Sequence, residues 1–472
     1  VSVVLCVDFG STFTKAAAVD VHSGDLLATA SHPTTLPTTQ PDGDGRGDVL
    51  DGYDACVAAL VEQEPRAADA DVLACSSAGG GLRVAVVGNE ELVTAEAGRR
   101  VALSSGGKVV LVLSGGLDGA KLAELRAAEP DVVLLVGGTD GGNAEVLEDD
   151  AAFLAGVPWP GPVVVAGNVE SQPVVRAALE ESGTPHVLAD NVVPRIGVLA
   201  PDSARRAIRE IFLSHVIGGK HLSSRTDARG RSFTDLVRGA TPDVVLTGVE
   251  LLARGLDEQH RGAGDVVVVD VGGATTDVHS VVELDPEDSG LAREVVATTP
   301  VTRTVEGDLG MRWSAISTVE AAGRDDLSAA AVRRRAHPDL LPDDGADGDA
   351  EREADLEIAA AAVRIALERH AGRSKVVVSP EGRVVERSGK DLREVDLMVG
   401  SGGVLRHGGP DAVRRVLLPA TGDAFEGGWQ LPRDPVVVVD RDYVLAAAGL
   451  LAEEHPIAAH RLVSRLRSAG DG

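Results

Sequence analysis

Short runs of β-branched residues, each closed by a glycine-containing turn, recur along this chain and predict buried β-strands. The most informative run is Val266-Val-Val-Val-Asp270-Val-Gly272-Gly273-Ala274-Thr275-Thr276-Asp277. It predicts a strand ending in an Asp, a polar bend with paired glycines, and a returning strand over residues 278–282. Residues 3–7 predict another strand, and Asp8-Phe9-Gly10-Ser11-Thr12-Phe13-Thr14-Lys15 bends into a second at 16–19 and a third at 26–30, an antiparallel meander. The two bends share their chemistry: a strand-end carboxylate, glycine, then small or hydroxyl residues. Backbone amides can converge on an anion at such a bend, and a strand-end carboxylate can hold Mg²⁺ through its waters. A tight hairpin with φ > 0 at Gly272 or Gly273 accounts for the second bend equally well when it is taken alone.

Between residues 82 and 201 the pattern changes to strand-then-helix units. Strands are expected at 84–87, 109–113, 132–136, 163–166 and 185–188, with helices such as 119–128 and 172–181 between them. That alternation predicts a parallel, Rossmann-like α/β module inserted into the first domain. Its Gly115-Gly116 and Gly137-Gly138-Thr139-Asp140-Gly141-Gly142 ends fall where open α/β sheets bind ligands, yet neither has dinucleotide or Walker A spacing, and ordinary strand-to-helix turns are the favoured reading.

Flanking this module, residues 37–48 read as a flexible Pro/Gly/Asp stretch, 53–63 as a helix, 72–75 as a strand and 203–215 as an amphipathic helix. Residues 243–246 read as a strand, with Thr247-Gly248-Val249-Glu250 opening a helix towards Gly255. Further on, residues 339–355 read as an acidic solvated loop between Ala-rich helices. A strand at 397–399 ends in Gly400-Ser401-Gly402-Gly403, and the last strand, 436–439, precedes a helix at 443–453. The expected domains are 1–82 with 201–264, the module at 83–200, a second domain at 265–440, and a C-terminal helix and tail at 441–472.

Composition narrows the function. The 472 residues exceed what one core organises, and 44% hydrophobic with only 2% aromatic content suits Val strands and Ala/Leu helices. A net charge of −28 opposes nucleic acid and anionic membranes as partners. Cys6, Cys56 and Cys75 are scattered, which predicts neither disulfides nor zinc and suits a reducing cytoplasm. The opening VSVVLCVDFG reads as a strand, not a signal, and the twelve histidines form no metal-binding motif.

Two Asp/Gly bends, one in each half, followed by a strand ending in Gly-Ser-Gly-Gly form an ordered set. It resembles the actin, sugar-kinase and DnaK-type chaperone superfamily, an actin-like (ribonuclease H-like) α/β fold in which two similar domains close on ATP and Mg²⁺. The resemblance implies that Asp8 and Asp270 hold the Mg²⁺ water shell, while Gly10, Ser11, Thr12, Gly272, Gly273, Ala274 and Thr275 offer donors to the phosphates and Lys15 adds a point charge. Gly400, Ser401, Gly402 and Gly403 match the adenosine motif, and the helices at 247–255 and 443–452 match the interdomain crossing helices. Glu250 and Asp277 both qualify as the general base or water-positioning residue, and Glu250 is equally well explained as a solvated first-turn carboxylate.

A closer resemblance lies outside these motifs. Thr-Val-Glu306-Gly307-Asp308-Leu-Gly310-Met311-Arg312, CSSAGGGLR at 75–83, LLVGGTDGG and GRVVERSGKDL at 382–392 look like the GlmL family, also called MutL of glutamate mutase and unrelated to the mismatch-repair protein of that name. The family implies an accessory of adenosylcobalamin-dependent methylaspartate (glutamate) mutase, by analogy with ATP-driven reactivating chaperones. On the residues alone, TVEGDLG is equally a glycine-punctuated loop before a helix. The cobalamin-binding signature Asp-x-His-x-x-Gly is absent, since Asp20-Val21-His22-Ser23-Gly24 has its Gly one place early. The expected activity is weak ATP hydrolysis coupled to domain closure; the alternatives are a small-molecule kinase of the same superfamily and a nucleotide-gated scaffold with little turnover.

Overall fold

The computed structural model describes residues 2–37, 47–78, 82–283, 299–338, 348–379, 382–422 and 428–468. The chain divides into two compact units, one comprising Val1–Thr247 with Gly449–Ala458, the other Gly248–Arg293, Thr299–Ala448 and Ala459–Gly472.

In the first unit, β1 (Val3–Phe9), β2 (Phe13–Asp20) and β3 (Leu26–Pro33) form the expected meander. β1 is buried along its whole length, which is why it reads as an unbroken apolar run. The Val49–Gln63 helix comes next, begun by a capping box in which Asp48 and Asp51 exchange bonds with each other's backbone. β4 (Asp71–Ser76) then pairs parallel with β1. After it come β5 (Leu82–Gly88), β6 (Gly107–Ser114), β7 (Val132–Leu135), β8 (Val163–Val165) and β9 (His186–Leu188), all parallel, in the order β6-β5-β7-β8-β9. Alternate residues of β5 serve opposite faces: Val84 and Val86 join the core shared with β1 and β4, and Ala85 and Val87 join a second core under the module's own helices. The unit closes its first sheet with β10 (Val237–Ala240), giving the order β10-β4-β1-β2-β3.

The second unit repeats this arrangement. β11 (Val266–Val271), β12 (Thr276–Val281) and β13 (Val301–Glu306) are an antiparallel meander. A small hairpin of β14 (Arg373–Ser379) and β15 (Gly382–Ser388) precedes β16 (Leu397–Ser401) and β17 (Val436–Val439), which add in parallel to give β13-β12-β11-β16-β17. Each five-stranded sheet is thus a meander extended by two parallel strands beside its first strand. This is the ribonuclease H-like sheet, present twice, and the fold is the expected actin-like α/β one.

Three local readings are corrected. Residues 243–246 are not a strand, because Thr241-Pro242-Asp243 starts the Thr241–Arg254 helix: proline is tolerated in a first turn and Asp243 complements the helix dipole there. The strand lies just upstream in Val237–Ala240, whose Val-Arg-Gly-Ala sequence carries no apolar run. Glu250 consequently sits well inside the helix, 3.6 Å from Arg254, and is not a first-turn carboxylate. The acidic stretch is partly helix: the Gly348–His370 helix takes in residues 348–355, with Asp355 buried, while 339–347 lie outside the described residues, as do 38–46 of the Pro/Gly/Asp stretch and 79–81 of the CSSAGGGLR motif. No helix among the described residues is long and apolar enough to cross a membrane.

Candidate functional site

The two bends fold alike, residue for residue. In the first unit the amide of Gly10 donates to the carbonyl of Phe13 at 3.2 Å; in the second, the amide of Gly272 donates to the carbonyl of Thr275 at 2.9 Å. A Cβ on Gly10 would lie 2.5 Å from the Phe13 oxygen and one on Gly272 2.9 Å from the Thr275 oxygen, so both turns need glycine there. Among the described residues the amides of Ser11 and Thr12, and those of Gly273 and Ala274, meet no backbone acceptor. Each bend therefore presents consecutive unclaimed donors at the mouth of a rigid strand pair, the arrangement an anionic oxygen requires.

The carboxylates hold equivalent places as well. Asp8 lies across β1–β2 from Lys15 and beside Cys75 on parallel β4; Asp270 lies across β11–β12 from Asp277 and beside Ser401 on parallel β16. Asp8 is buried and accepts from the Thr241 hydroxyl at 2.5 Å, a contact supplied by the first residue of the Thr241–Arg254 helix. The Cys75 thiol faces the same oxygen at 3.7 Å, and burial first, then the charge of Asp8, hold that thiol well above its ordinary range. It is a neutral neighbour, not a nucleophile.

In the second unit two carboxylates stand directly opposite each other on adjacent strands. Burial raises the Asp277 carboxyl, Asp270 and Glu306 push it further the same way, and Arg303 opposes them from 3.3 Å. Such a pair gains from a cation placed against Asp270. No group of three or more His, Cys, Asp or Glu among the described residues forms a metal cage. One or two carboxylates acting through metal-bound water is how Mg²⁺ is usually held, and Asp8 in the first unit and Asp270 in the second each offer one such strand-end carboxylate.

Behind the second bend lies the TVEGDLG segment. Thr304, Val305 and Glu306 belong to β13, so the segment starts as a strand, and the chain beyond it wraps the bend: Met311 donates to the Gly272 carbonyl at 3.0 Å, and Arg312 and Trp313 donate to that of Gly273 at 2.8 Å each. The Ser314 hydroxyl donates to the Ala274 carbonyl at 2.7 Å. Gly310 packs so closely that a Cβ there would lie 2.7 Å from the Ala274 backbone. With its carbonyls engaged from behind, the bend's amides are fixed in the opposite sense. Arg369 anchors the segment by reaching Glu306 at 2.8 Å and Asp308 at 2.7 Å, and Arg312 ties it to the helices through Asp355 at 2.9 Å.

The Gly400–Gly403 motif sits beside the same bend. Gly400 and Ser401 end β16, and Gly402, at φ 109°, passes so near β11 that a Cβ would lie 2.2 Å from the Val271 oxygen. Its glycine is required by chain packing in its own right. Gly403 faces open space, with nothing within 4 Å of a Cβ there. Asp270, Asp277, Gly272, Gly273, Ala274, Thr275 and Gly400 to Gly403 thus gather at one end of the second sheet, and Asp8, Gly10, Ser11, Thr12 and Lys15 at the matching end of the first. Glu250 lies on the Thr241–Arg254 helix, away from both bends in sequence and paired with Arg254.

Sequence reasoning missed Thr241, Arg303 and Asp440. The Thr-Pro-Asp helix start was the legible signal for the first. Asp440 is buried after β17 and caps the Val444–Leu451 helix by accepting from the amides of Val444 and Leu445 at 2.9 and 3.1 Å. That helix carries Gly449, where a Cβ would lie 1.9 Å from the Val244 carbonyl oxygen of the Thr241–Arg254 helix.

Comparison with known proteins gives a match to the family described as MutL protein over residues 4–466. Protein MutL of Clostridium tetanomorphum is 35% identical over 474 residues, 98% of each chain. Among solved structures, the inorganic polyphosphate/ATP-glucomannokinase of Arthrobacter sp. strain KM aligns over 99% of this chain and 100% of its own at 10% identity and a TM-score of 0.26. The apo psk41 ParM protein aligns over 100% and 99% at 12% identity and a TM-score of 0.26. Superpositions this loose carry no weight, and the fold rests on strand order. The match over residues 4–466, together with 35% identity across 98% of both chains, establishes that the chain belongs to the MutL family.

Proposed function

We propose that this protein is an ATP-binding accessory of an adenosylcobalamin-dependent methylaspartate (glutamate) mutase, a reactivating chaperone in which Mg-ATP binding and slow hydrolysis drive a conformational cycle. The observation that carries the nucleotide half is the repeated bend: in each ribonuclease H-like sheet a strand-end Asp precedes a glycine-closed turn whose next two amides have no backbone acceptor among the described residues. Asp8 and Asp270 would hold Mg²⁺ through its waters, the metal neutralising phosphate charge when bound. Ser11, Thr12, Gly273 and Ala274 would donate to phosphate oxygens, Lys15 would add positive charge, and Gly403 would leave room for the nucleoside. Asp277, across the strand pair from Asp270 and held above its ordinary range by burial, would position a water, with Glu250, inside the Thr241–Arg254 helix, as the other candidate. The mutase half rests on membership of the MutL family.

A small-molecule kinase of the same superfamily is the competing reading. Phosphate release by the purified protein, with and without a purified adenosylcobalamin-dependent glutamate mutase, separates the two. Slow basal release stimulated by the mutase is expected. A phosphorylated metabolite with no response to the mutase would favour the kinase.

A further inference from the structure

The inserted parallel sheet has a carboxyl edge that the nucleotide reading does not use. Loops leaving β5 to β9 all emerge there, because the strands are parallel. Hydrogen bonds brace them in two groups: Gly115 donates to Asn89 at 2.8 Å, joining the loops after β6 and β5. Asn191 donates to the Gly138 carbonyl at 3.0 Å and to Asp140 at 2.8 Å, Val169 donates to Asp140 at 3.3 Å, and the Asp140 amide donates to the Pro194 carbonyl at 3.1 Å, joining the loops after β7, β8 and β9. The glycine-rich 137–142 loop is therefore braced by the loops after β8 and β9, not a loose connection.

This edge is also where apolar side chains face water. Of fourteen exposed large hydrophobic residues among the described residues, five stand on it: Leu92, Val169, Val174, Ile196 and Val198. Ile196 and Leu92 are the two most exposed, at 77% and 71%. Single exposed hydrophobic residues are ordinary on protein surfaces, but their concentration on one braced edge is what binding surfaces have. The charge around them is mostly acidic. Glu90, Glu91, Asp118, Asp140, Glu170 and Asp190 lie in these loops, against Arg195 and against Lys121, whose ammonium is engaged by the Ser114 and Gly116 carbonyls at 2.6 Å each.

We infer that the carboxyl edge of the β6-β5-β7-β8-β9 sheet is a docking surface for a protein partner that presents an apolar centre ringed by Lys and Arg. Complementary charge steers such an encounter and rejects nucleic acid and anionic membrane, while Ile196 and Leu92 supply the desolvated anchors. The pre-formed loops keep the ordering cost of binding low. The inference rests on the mutase reading for the partner's identity alone.

The test uses the full chain and two probes, the purified adenosylcobalamin-dependent glutamate mutase and a synthetic amphipathic Lys/Leu helical peptide with its Glu/Leu counterpart as control. Binding to the mutase is expected to weaken at least tenfold in Leu92→Asp and in Ile196→Asp, to weaken with salt, and to weaken again in Glu90→Lys/Glu91→Lys. Val332→Asp and Leu418→Asp, exposed elsewhere, are expected to leave it unchanged, and circular dichroism checks that every variant is folded. Mutase binding that is indifferent to the edge variants overturns the docking surface and leaves the mutase reading intact. If the mutase fails to bind but the Lys/Leu peptide binds and is lost in the edge variants, the surface stands and the mutase reading falls. Binding of neither probe overturns the surface.

Discussion

Single residues in this protein are fixed by contacts that allow little substitution. Gly402 is the clearest. Its φ of 109° is a conformation that side-chain-bearing residues avoid, and the Val271 oxygen occupies the space a Cβ would need. Gly402→Ala is expected to cost about 2–4 kcal/mol of stability, read from urea denaturation midpoints, whereas Gly403→Ala, in open space, is expected to cost well under half of that. Asp440 is the second case. Burial holds its carboxyl up at about 6, against the lowering pull of the Val444 and Leu445 amides. Between the unfolded value near 3.8 and about 6 the native state binds more protons than the unfolded one, so this residue's contribution falls as pH rises through that window and is flat above it. The loss across the window is about 3 kcal/mol. Stability of Asp440→Asn measured against pH is expected to lack that decline; a decline identical to that of the parent chain would show that Asp440 titrates normally.

The elements show which parts of the fold were legible and which were not. β1 and β11 stand out because strands buried on both faces become unbroken Val runs, and β5, β7 and β8 of the inserted sheet stand out for the same reason. β10 is a strand only because β4 lies beside it, so its Val-Arg-Gly-Ala sequence gives no local signal, while the neighbouring Asp-Val-Val-Leu run is claimed by a helix started at Thr241-Pro242. The β14–β15 hairpin was likewise hidden in a stretch known only by its family likeness. The role of TVEGDLG was not legible either, since its side chains pair with Arg369, far along the chain, and the bend is held through backbone carbonyls by the residues that follow it. Its support runs through a buried ion network in which Asp355 takes Arg312 at 2.9 Å and Arg334 at 2.6 Å. Arg334 is 1% exposed and also reaches Glu351 at 2.9 Å, so removing Asp355 leaves a buried guanidinium with one of its two carboxylates gone. Asp355→Ala is expected to destabilise the chain by about 3–5 kcal/mol in chemical denaturation, and an effect below about 1 kcal/mol would show that the network is dispensable.

At the scale of the whole molecule, one sheet plan used twice yields two bends with the same hydrogen bond and the same strand-end carboxylate, but with different residues across from it. Lys15 faces Asp8 and Asp277 faces Asp270, so the first bend pairs a carboxylate with a cation on its own hairpin and the second pairs two carboxylates, with Arg303 reaching Asp277 from β13. The proposed ligand, a divalent metal with a polyphosphate, would use that difference. For such a ligand to move a two-state equilibrium from 1:99 to 99:1, it must prefer one state by roughly 5.5 kcal/mol, which a clamp of several charge-assisted bonds can provide. The Asp and Gly positions of both bends were readable from sequence because their spacing repeats; the contacts of Thr241 and Arg303 were not, because each reaches its carboxylate from an element that only the fold brings near, although the Thr-Pro-Asp helix start itself was legible.

The most direct test is calorimetric titration of Mg-ATP into the parent chain, Asp8→Ala and Asp270→Ala, each confirmed folded. The account predicts binding by the parent chain that weakens about 10–100-fold in each variant and falls sharply when Mg²⁺ is replaced by a chelator. Unchanged affinity in both variants, or no binding by the parent chain, would contradict it.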